Sequence, residues 1–152
     1  MTEIQPSLMI SYSTDFSLEI VFSRIRGNPQ IWPEYSFNFS CSILHTMGEF
    51  TYFGREICFD PKTFRTFAEE LSEIRQGKGN SAKFHEVGCM IEFSISVLDR
   101  KTKASIRVRE FQAGEEETVL SASFHVDYDL FVNALHAKTM QFVDELAGVD
   151  IA

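Results

Sequence analysis

The sequence is short of the features that mark secreted, membrane-spanning and metal-binding proteins. It has one tryptophan, four prolines and three cysteines among 152 residues. No apolar run approaches the roughly 20 residues that a bilayer span needs. The opening Met-Thr-Glu-Ile-Gln-Pro has neither the basic region nor the long apolar region of a signal peptide. We therefore expect a cytoplasmic protein, in which the Asn38-Phe39-Ser40 sequon is coincidental.

The cysteines do not form a metal-binding pattern. Cys41, Cys58 and Cys89 are an odd number without paired spacing, and each lies in a predicted strand, where a free cysteine acts as a small buried hydrophobe. The segment His85-Glu86-Val87-Gly88-Cys89 resembles a metal clip, but a zinc site needs three or four converging ligands and the sequence has no second cluster. We expect no metal and no cofactor.

The charge balance limits the partners. Fourteen basic and 22 acidic residues give a net charge of −8, which repels phosphate groups and makes nucleic acid and anionic membranes poor partners. Charge of this size keeps a small domain soluble, and it also favours encounter with a basic protein. Both interpretations stay open.

One unit occurs twice in the chain: apolar side chains at alternate positions predict strands, and a capped amphipathic helix follows. Asp60-Pro61 and Asp127 are helix-start signals, because Asp accepts the free N–H groups of a first turn and Pro fits the first helical position. Gly54 lies where the inward parity of a strand changes, which predicts a bulge. The alternating sets are Phe16, Leu18, Ile20 and Phe22; Phe37, Phe39, Cys41 and Ile43; Cys89, Ile91, Phe93, Ile95 and Val97; Ala104, Ile106 and Val108; Leu120, Ala122, Phe124 and Val126.

These elements predict an α+β fold, with an antiparallel, meander-rich sheet and two helices packed on one face. The helical stripes are Phe64, Phe67, Leu71 and Ile74 in the first helix and Phe131, Leu135, Phe142, Val143 and Leu146 in the second. We expect a single domain over residues 1–152, with internal halves 8–76 and 82–148 that repeat the meander-plus-helix unit. Fifteen phenylalanines indicate a core filled largely by aromatic rings.

No group of residues indicates catalysis. His125 and Asp127 share an outward strand face, a spacing compatible with acid–base chemistry, but no nucleophile accompanies them. Asp60 and Asp127 are explained as helix caps. We expect no catalytic residues and no enzyme, although a site assembled from scattered residues stays open.

Two stretches are candidates for partner binding. The first is the loop containing Trp32, Glu34 and Tyr35, since Trp and Tyr are enriched at binding hot spots. Alternatively, its rings anchor the loop to the core. The second is acidic and could face a cationic partner, or could be a solvated loop and an ordinary helix start. It comprises Glu115, Glu116 and Glu117 with Asp127 and Asp129.

The order of elements resembles the WapI-type bacterial immunity proteins and related domains of polymorphic toxin loci. The resemblance covers residues 16 to 147 and is carried by Cys-Phe-Asp-Pro followed by Thr-Phe-Arg-Thr-Phe-Ala-Glu-Glu-Leu, a glycine-bearing linker, a second meander and Phe-His-Val-Asp-Tyr-Asp-Leu-Phe-Val-Asn-Ala-Leu. It implies a cytoplasmic bacterial protein that neutralises a toxin by binding, and it supplies no catalytic residues.

The resulting hypothesis is a non-catalytic, protein-binding domain, an immunity protein whose expected partner is a protein, with a basic toxin domain as the candidate. The alternative is a small apolar-ligand-binding protein with a cavity between the sheet and the long C-terminal helix, which fifteen phenylalanines could line. The sequence leaves the oligomeric state open, and the sheet edges could also support self-association.

Overall fold

The structure is a computed structural model that describes residues 5–27, 31, 33–45, 48–111 and 117–149. In these ranges the chain forms four strands and a helix, and then four strands and a helix again. The first half contains β1 (Ser7–Tyr12), β2 (Phe16–Arg26), β3 (Glu34–His45), β4 (Gly48–Cys58) and α1 (Pro61–Arg75). The second half contains β5 (Ser81–His85), β6 (Ile91–Leu98), β7 (Lys101–Phe111), β8 (Glu117–Val126) and α2 (Tyr128–Ala147).

Each half forms its own antiparallel sheet. The strand orders are β1-β2-β3-β4 and β5-β6-β7-β8, so each sheet is a simple meander of sequential strands. This arrangement confirms the predicted α+β class and the meander-plus-helix repeat. The division of the eight strands between two sheets is not determined by the alternation of side chains, because that alternation identifies a strand but not its neighbours.

The predicted bulge in β4 is present directly after Gly54. Phe39 pairs with Gly54 and Phe37 pairs with Ile57, so two β4 residues oppose one residue of β3. One of the two, Glu56, has a left-handed φ of 55°. Its carboxylate accepts hydrogen bonds at 3.0 Å from Ser23 Oγ and Arg24 Nε, and the bond from Arg24 is the main reason why the pKa of Glu56 is lowered.

Both helices begin at the predicted caps. The Asp60 side chain accepts from the N–H of Lys62, with Pro61 in the first turn, and the Asp127 side chain accepts from the N–H of Leu130. Helix α1 ends at Arg75 with Gln76 as its C-cap, and Gly77 follows with a φ of 74°, a backbone conformation that glycine adopts without strain. The two aspartates therefore have the capping role that the sequence predicts.

The two sheets and both helices share one core of aromatic and aliphatic side chains. Phe16 of β2 lies 6.3 Å from Phe93 of β6 between ring centroids, which joins the sheets, while Phe64 of α1 contacts rings from β3, β5 and α2. The predicted aromatic core is confirmed. Its buried phenylalanines are Phe16, Phe22, Phe37, Phe39, Phe59, Phe64, Phe67, Phe84, Phe93, Phe131 and Phe142.

The helices pack on each other and on the first strand of the opposite half, α1 along β5 and α2 along β1. Arg75 of α1 donates to Asn133 Oδ1 and to His136 Nδ1 of α2, at 2.9 Å in each case. Since arginine is always a donor, His136 accepts through an unprotonated Nδ1. Burial, and then the charge of Arg75, hold the pKa of His136 below its usual value.

Candidate functional site

An open groove lies between the free edge of β1 and the first half of α2, and we call it the β1–α2 groove. Its volume is about 290 Å³. Apolar side chains from the strand and the helix form most of its wall. The lining residues are Met9, Ile10, Ser11, Tyr12, Ser13, Asp127, Leu130, Phe131, Ala134, Leu135 and Lys138.

The groove exposes large apolar side chains to solvent. Leu130 is 77% exposed and Met9 is 41% exposed, whereas Phe131 beneath them is buried and meets the Tyr12 ring edge-on at 5.8 Å. Exposed apolar side chains that line one concavity mark a binding surface more specifically than scattered ones do. Asp127 and Lys138 add one negative and one positive charge to the lining.

The sequence prediction included Asp127 but missed the apolar residues of this groove. A signal was present: Leu130, Ala134, Ala137 and Met140 place apolar side chains on α2 outside its buried stripe. Such residues become informative only when a second surface faces them. Met9 supplies that surface from a strand more than a hundred residues earlier in the chain.

The predicted binding residues that the structure describes do not lie together. Glu117 begins β8 and Asp127 directly follows its end, which places the two about 30 Å apart along the strand. Glu117 forms an ion pair with Arg109 at 2.5 Å, and Asp129 is an exposed residue in the first turn of α2. Of the predicted residues that the structure describes, Asp127 alone lines the β1–α2 groove.

The predicted aromatic loop is described in part. Glu34 is exposed at the start of β3, and the half-buried Tyr35 packs against Phe22 with ring centroids 6.3 Å apart. For Tyr35, the anchoring interpretation of the loop therefore fits the structure. Trp32, Glu115 and Glu116 lie outside the described residues.

A second cleft of about 260 Å³ lies where β4, the β5–β6 turn and β7 meet. Tyr52 faces it, and the pKa of the Tyr52 hydroxyl is raised by burial first and by the charges of Glu110 and Glu86 second. A tyrosine with a raised pKa stays protonated near neutral pH, so Tyr52 can donate a hydrogen bond but is not a base. The lining residues are Tyr52, Ile57, Glu86, Met90, Ile91, Arg109 and Glu110.

The buried Glu86 carboxylate organises the β5–β6 turn beside this cleft. It accepts from the backbone N–H of Gly88 at 2.7 Å, from Met90 N–H, and from Ile91 N–H at 3.4 Å. The N–H of Val87 donates to the carbonyl of Cys58 at 3.0 Å, which ties the turn to the end of β4 in the other sheet. Glu86 therefore has a structural role, because its side chain replaces the backbone acceptors that this turn lacks.

Cys89 lies in the same turn, and the expectation that it is a buried strand residue is wrong. It is exposed with a left-handed φ of 58°, and β6 begins two residues later at Ile91. The alternating pattern extends back to Cys89, but the side chain of Glu86 binds the backbone of the turn, so the strand begins only at Ile91. The same expectation is confirmed for Cys41, which is buried in β3, and Cys58 is half-buried at the end of β4.

Cys89 and His85 are neighbours in space but do not form a nucleophile–base pair. The Cys89 Sγ lies 3.6 Å from His85 Nδ1, and the same nitrogen lies 2.8 Å from the carbonyl oxygen of Glu86. A carbonyl oxygen only accepts, so Nδ1 carries the proton and donates. A general base must present a lone pair to the thiol, and Nδ1 has none to offer.

We expect Cys89 to react first with a thiol reagent such as a maleimide. Burial raises the pKa of the Cys41 thiol to about 11, and burial followed by nearby carboxylates raises the pKa of Cys58, so neither is a ready thiolate near neutral pH. Mass spectrometry of the folded protein should show one fast label per chain. Cys89→Ser should remove this fast label and Cys58→Ser should preserve it; a fast label that survives in Cys89→Ser would contradict the assignment.

In the part of the chain that the structure describes, no three potential metal ligands converge, and neither helix has the length and hydropathy of a membrane span. Comparison with protein-family models, with curated proteins and with solved structures gives no match to this chain.

Proposed function

We propose that the protein is a non-catalytic binding domain that holds a segment of a partner protein in the β1–α2 groove. The observation that carries the proposal is the exposure of Leu130 and Met9 in one concave, mostly apolar wall. Protein interfaces are enriched in methionine and depleted of charge at their centres. The wall has this composition, with Asp127 and Lys138 as its charged members.

The proposed partner is a bacterial toxin domain, which the protein neutralises in the cytoplasm by stoichiometric binding. The resemblance to WapI-type immunity proteins supports this assignment, and so does the net charge of −8, which attracts a basic toxin. Asp127 and Asp129, at the start of α2, would meet basic residues of that toxin beside the groove. The mechanism is occlusion of the toxin surface, and it needs no reactive group on this chain.

Leu130→Asp tests the proposal. Co-expression with the toxic domain encoded by the adjacent reading frame should show protection by the native chain and loss of protection by the variant. We expect the Kd to rise by at least about a hundredfold, or about 2.8 kcal/mol, since a charge would be buried without a partner. Isothermal titration calorimetry measures this change.

Leu98→Asp is the matched control, because Leu98 is 70% exposed at the end of β6 and does not line the groove. It should change the Kd by less than about threefold. Equal affinities of the Leu130 and Leu98 variants would refute binding in the groove. Unchanged killing in the presence of the native chain would refute the immunity function.

A small apolar ligand is a second candidate occupant, favoured by the position of the groove between a sheet edge and the long C-terminal helix. Its volume of about 290 Å³ is near the lower end for small-ligand sites. A bound molecule that remains with the purified chain in native mass spectrometry, and that Leu130→Asp removes, would favour this function over protein binding.

A further inference from the structure

Strands β1 and β5 occupy equivalent places, since each is the first strand of its meander and forms one edge of its sheet. The carbonyl of Pro6 accepts from Phe22 N–H, and the carbonyl of Asn80 accepts from Val97 N–H, at 2.8 Å in both cases. In an antiparallel pair, alternate residues direct both backbone groups to the neighbouring strand. In β1 and β5, the backbone groups of even-numbered residues therefore hydrogen-bond to the neighbouring strand of the same sheet. The N–H and C=O groups of odd-numbered residues point away from that strand, at the edge of the sheet.

Side chains of helix α1 cover the outer edge of β5 and accept hydrogen bonds from its backbone. The outward N–H of Lys83 donates to Glu70 Oε1 at 3.3 Å, and the outward N–H of His85 donates to Thr63 Oγ1 at 3.2 Å. Two side chains of one helix thus satisfy successive outward donors of the strand. A covered edge of this kind resists pairing with another chain.

Helix α2 does not close β1 in the same way. Counted from the caps Asp60 and Asp127, Leu130 occupies the position of Thr63 and Ala137 that of Glu70. Neither Leu nor Ala can accept a hydrogen bond. Among the described residues, no side chain accepts from the outward N–H of Met9 or Ser11, and the β1–α2 groove lies along this edge.

The sequence of β1 also lacks the devices that protect sheet edges. Ser7–Tyr12 contains no charged residue and no proline, and its register with β2 is continuous without a bulge. The edge strand β4 differs, since it has a bulge after Gly54 and the charged residues Glu49, Arg55 and Glu56.

We infer that β1 is a strand-addition site, at which an extended segment of the partner protein pairs with the outward backbone groups of Met9 and Ser11. This inference rests on the proposed function and specifies its mode of recognition. Alternate side chains of the added strand enter the groove over Leu130 and Ala134, while main-chain hydrogen bonds supply affinity. A basic segment fits better than a second copy, because two chains of charge −8 repel each other.

Amide hydrogen exchange of the full chain, followed by NMR, tests whether the edge is open. The N–H groups of Met9 and Ser11 should exchange at least about tenfold faster than those of Lys83 and His85. The double variant Leu130→Thr with Ala137→Glu copies the acceptors of α1 onto α2 and should slow exchange at Met9 and Ser11. Thr63→Leu with Glu70→Ala is the reverse control and should speed exchange at Lys83 and His85.

A blocked peptide of alternating valine and threonine between terminal lysines is the probe for binding. Saturable binding should protect the amides of Met9 and Ser11, and the acceptor-bearing double variant should weaken it at least about tenfold. N-methylation of alternate peptide amides should abolish binding in one register and preserve it in the other. Two registers that bind equally, or no binding at millimolar peptide, would overturn strand addition.

These outcomes separate the inference from the proposed function. If Leu130→Asp abolishes toxin neutralisation while N-methylation has no effect, then the groove binds side chains and the strand-addition mode is wrong. Amide protection that grows with protein concentration, together with a dimer in sedimentation, would show that a second copy fills the edge and would also overturn the inference. The predicted pattern of exchange with register-dependent peptide binding supports it.

Discussion

Replacing Phe64 with alanine is expected to lower the free energy of unfolding by about 3–5 kcal/mol. Phe64 is fully buried, and its ring lies 4.9 to 5.7 Å from the rings of Phe142, Phe59, Phe84 and Phe37. These neighbours come from α2, from the residue directly after β4, from β5 and from β3. The cavity would therefore open where both halves of the chain meet, and no single element could move to fill it.

Urea unfolding followed by circular dichroism measures this loss. An unchanged slope of the unfolding free energy against urea concentration shows that the shifted midpoint reports a change in stability. Phe53→Ala is the matched control, since Phe53 is 59% exposed and its removal should cost less than about 1 kcal/mol. If Phe64→Ala prevents folding, Phe64→Leu should still fold with a smaller loss. A loss below about 1 kcal/mol for Phe64→Ala would contradict the central place of this ring.

Glu86→Ala is expected to destabilise the protein by about 2–3 kcal/mol, an unusually large effect for a carboxylate in a turn. The substitution leaves the N–H groups of Gly88, Met90 and Ile91 without their side-chain acceptor. These groups lie beside the hydrogen bond from Val87 N–H to the Cys58 carbonyl, which links the two sheets. Urea unfolding gives the magnitude. Amide exchange at Gly88 and Met90 should accelerate before the rest of the sheet is affected.

Glu49→Ala is the control for Glu86, because Glu49 is exposed and accepts one bond, from Ser42 Oγ at 3.1 Å. Its removal should change stability by no more than about 0.5 kcal/mol. The stability loss of Glu86→Gln should lie between those of Glu86→Ala and Glu49→Ala, since glutamine retains one acceptor oxygen. Equal losses for Glu86→Ala and Glu49→Ala would mean that the turn does not depend on the buried carboxylate.

The local elements of this fold are predictable because their causes are local. Alternating side chains indicate the strands, Asp60 and Asp127 fix the helix starts, and Gly54 marks the bulge in β4. The same reasoning failed at Cys89, where the apolar alternation continues for one more step. There the side chain of Glu86 binds the backbone of the turn and the strand begins later, at Ile91.

The candidate site was not predictable in the same way. Leu130 could be recognised as an apolar residue outside the buried stripe of α2, but its meaning depends on Met9, which lies in the first strand of the chain. The predicted acidic and aromatic residues instead distribute over separate places, with Glu117 and Asp127 at opposite ends of β8. The number of residues between two positions in the sequence does not determine how far apart their side chains lie in the folded protein.

The sequence by itself determined the longer strands β2–β4 and β6–β8, the helix caps and the repeated meander-plus-helix unit, since each depends on residues close together in the chain. Tertiary structure alone decided that the strands form two sheets, that Phe64 joins the halves, and that α1 closes β5 while α2 leaves β1 open. The reason is physical. A hydrogen-bond donor at a sheet edge is satisfied or free according to which helix packs beside it, and packing depends on the whole core.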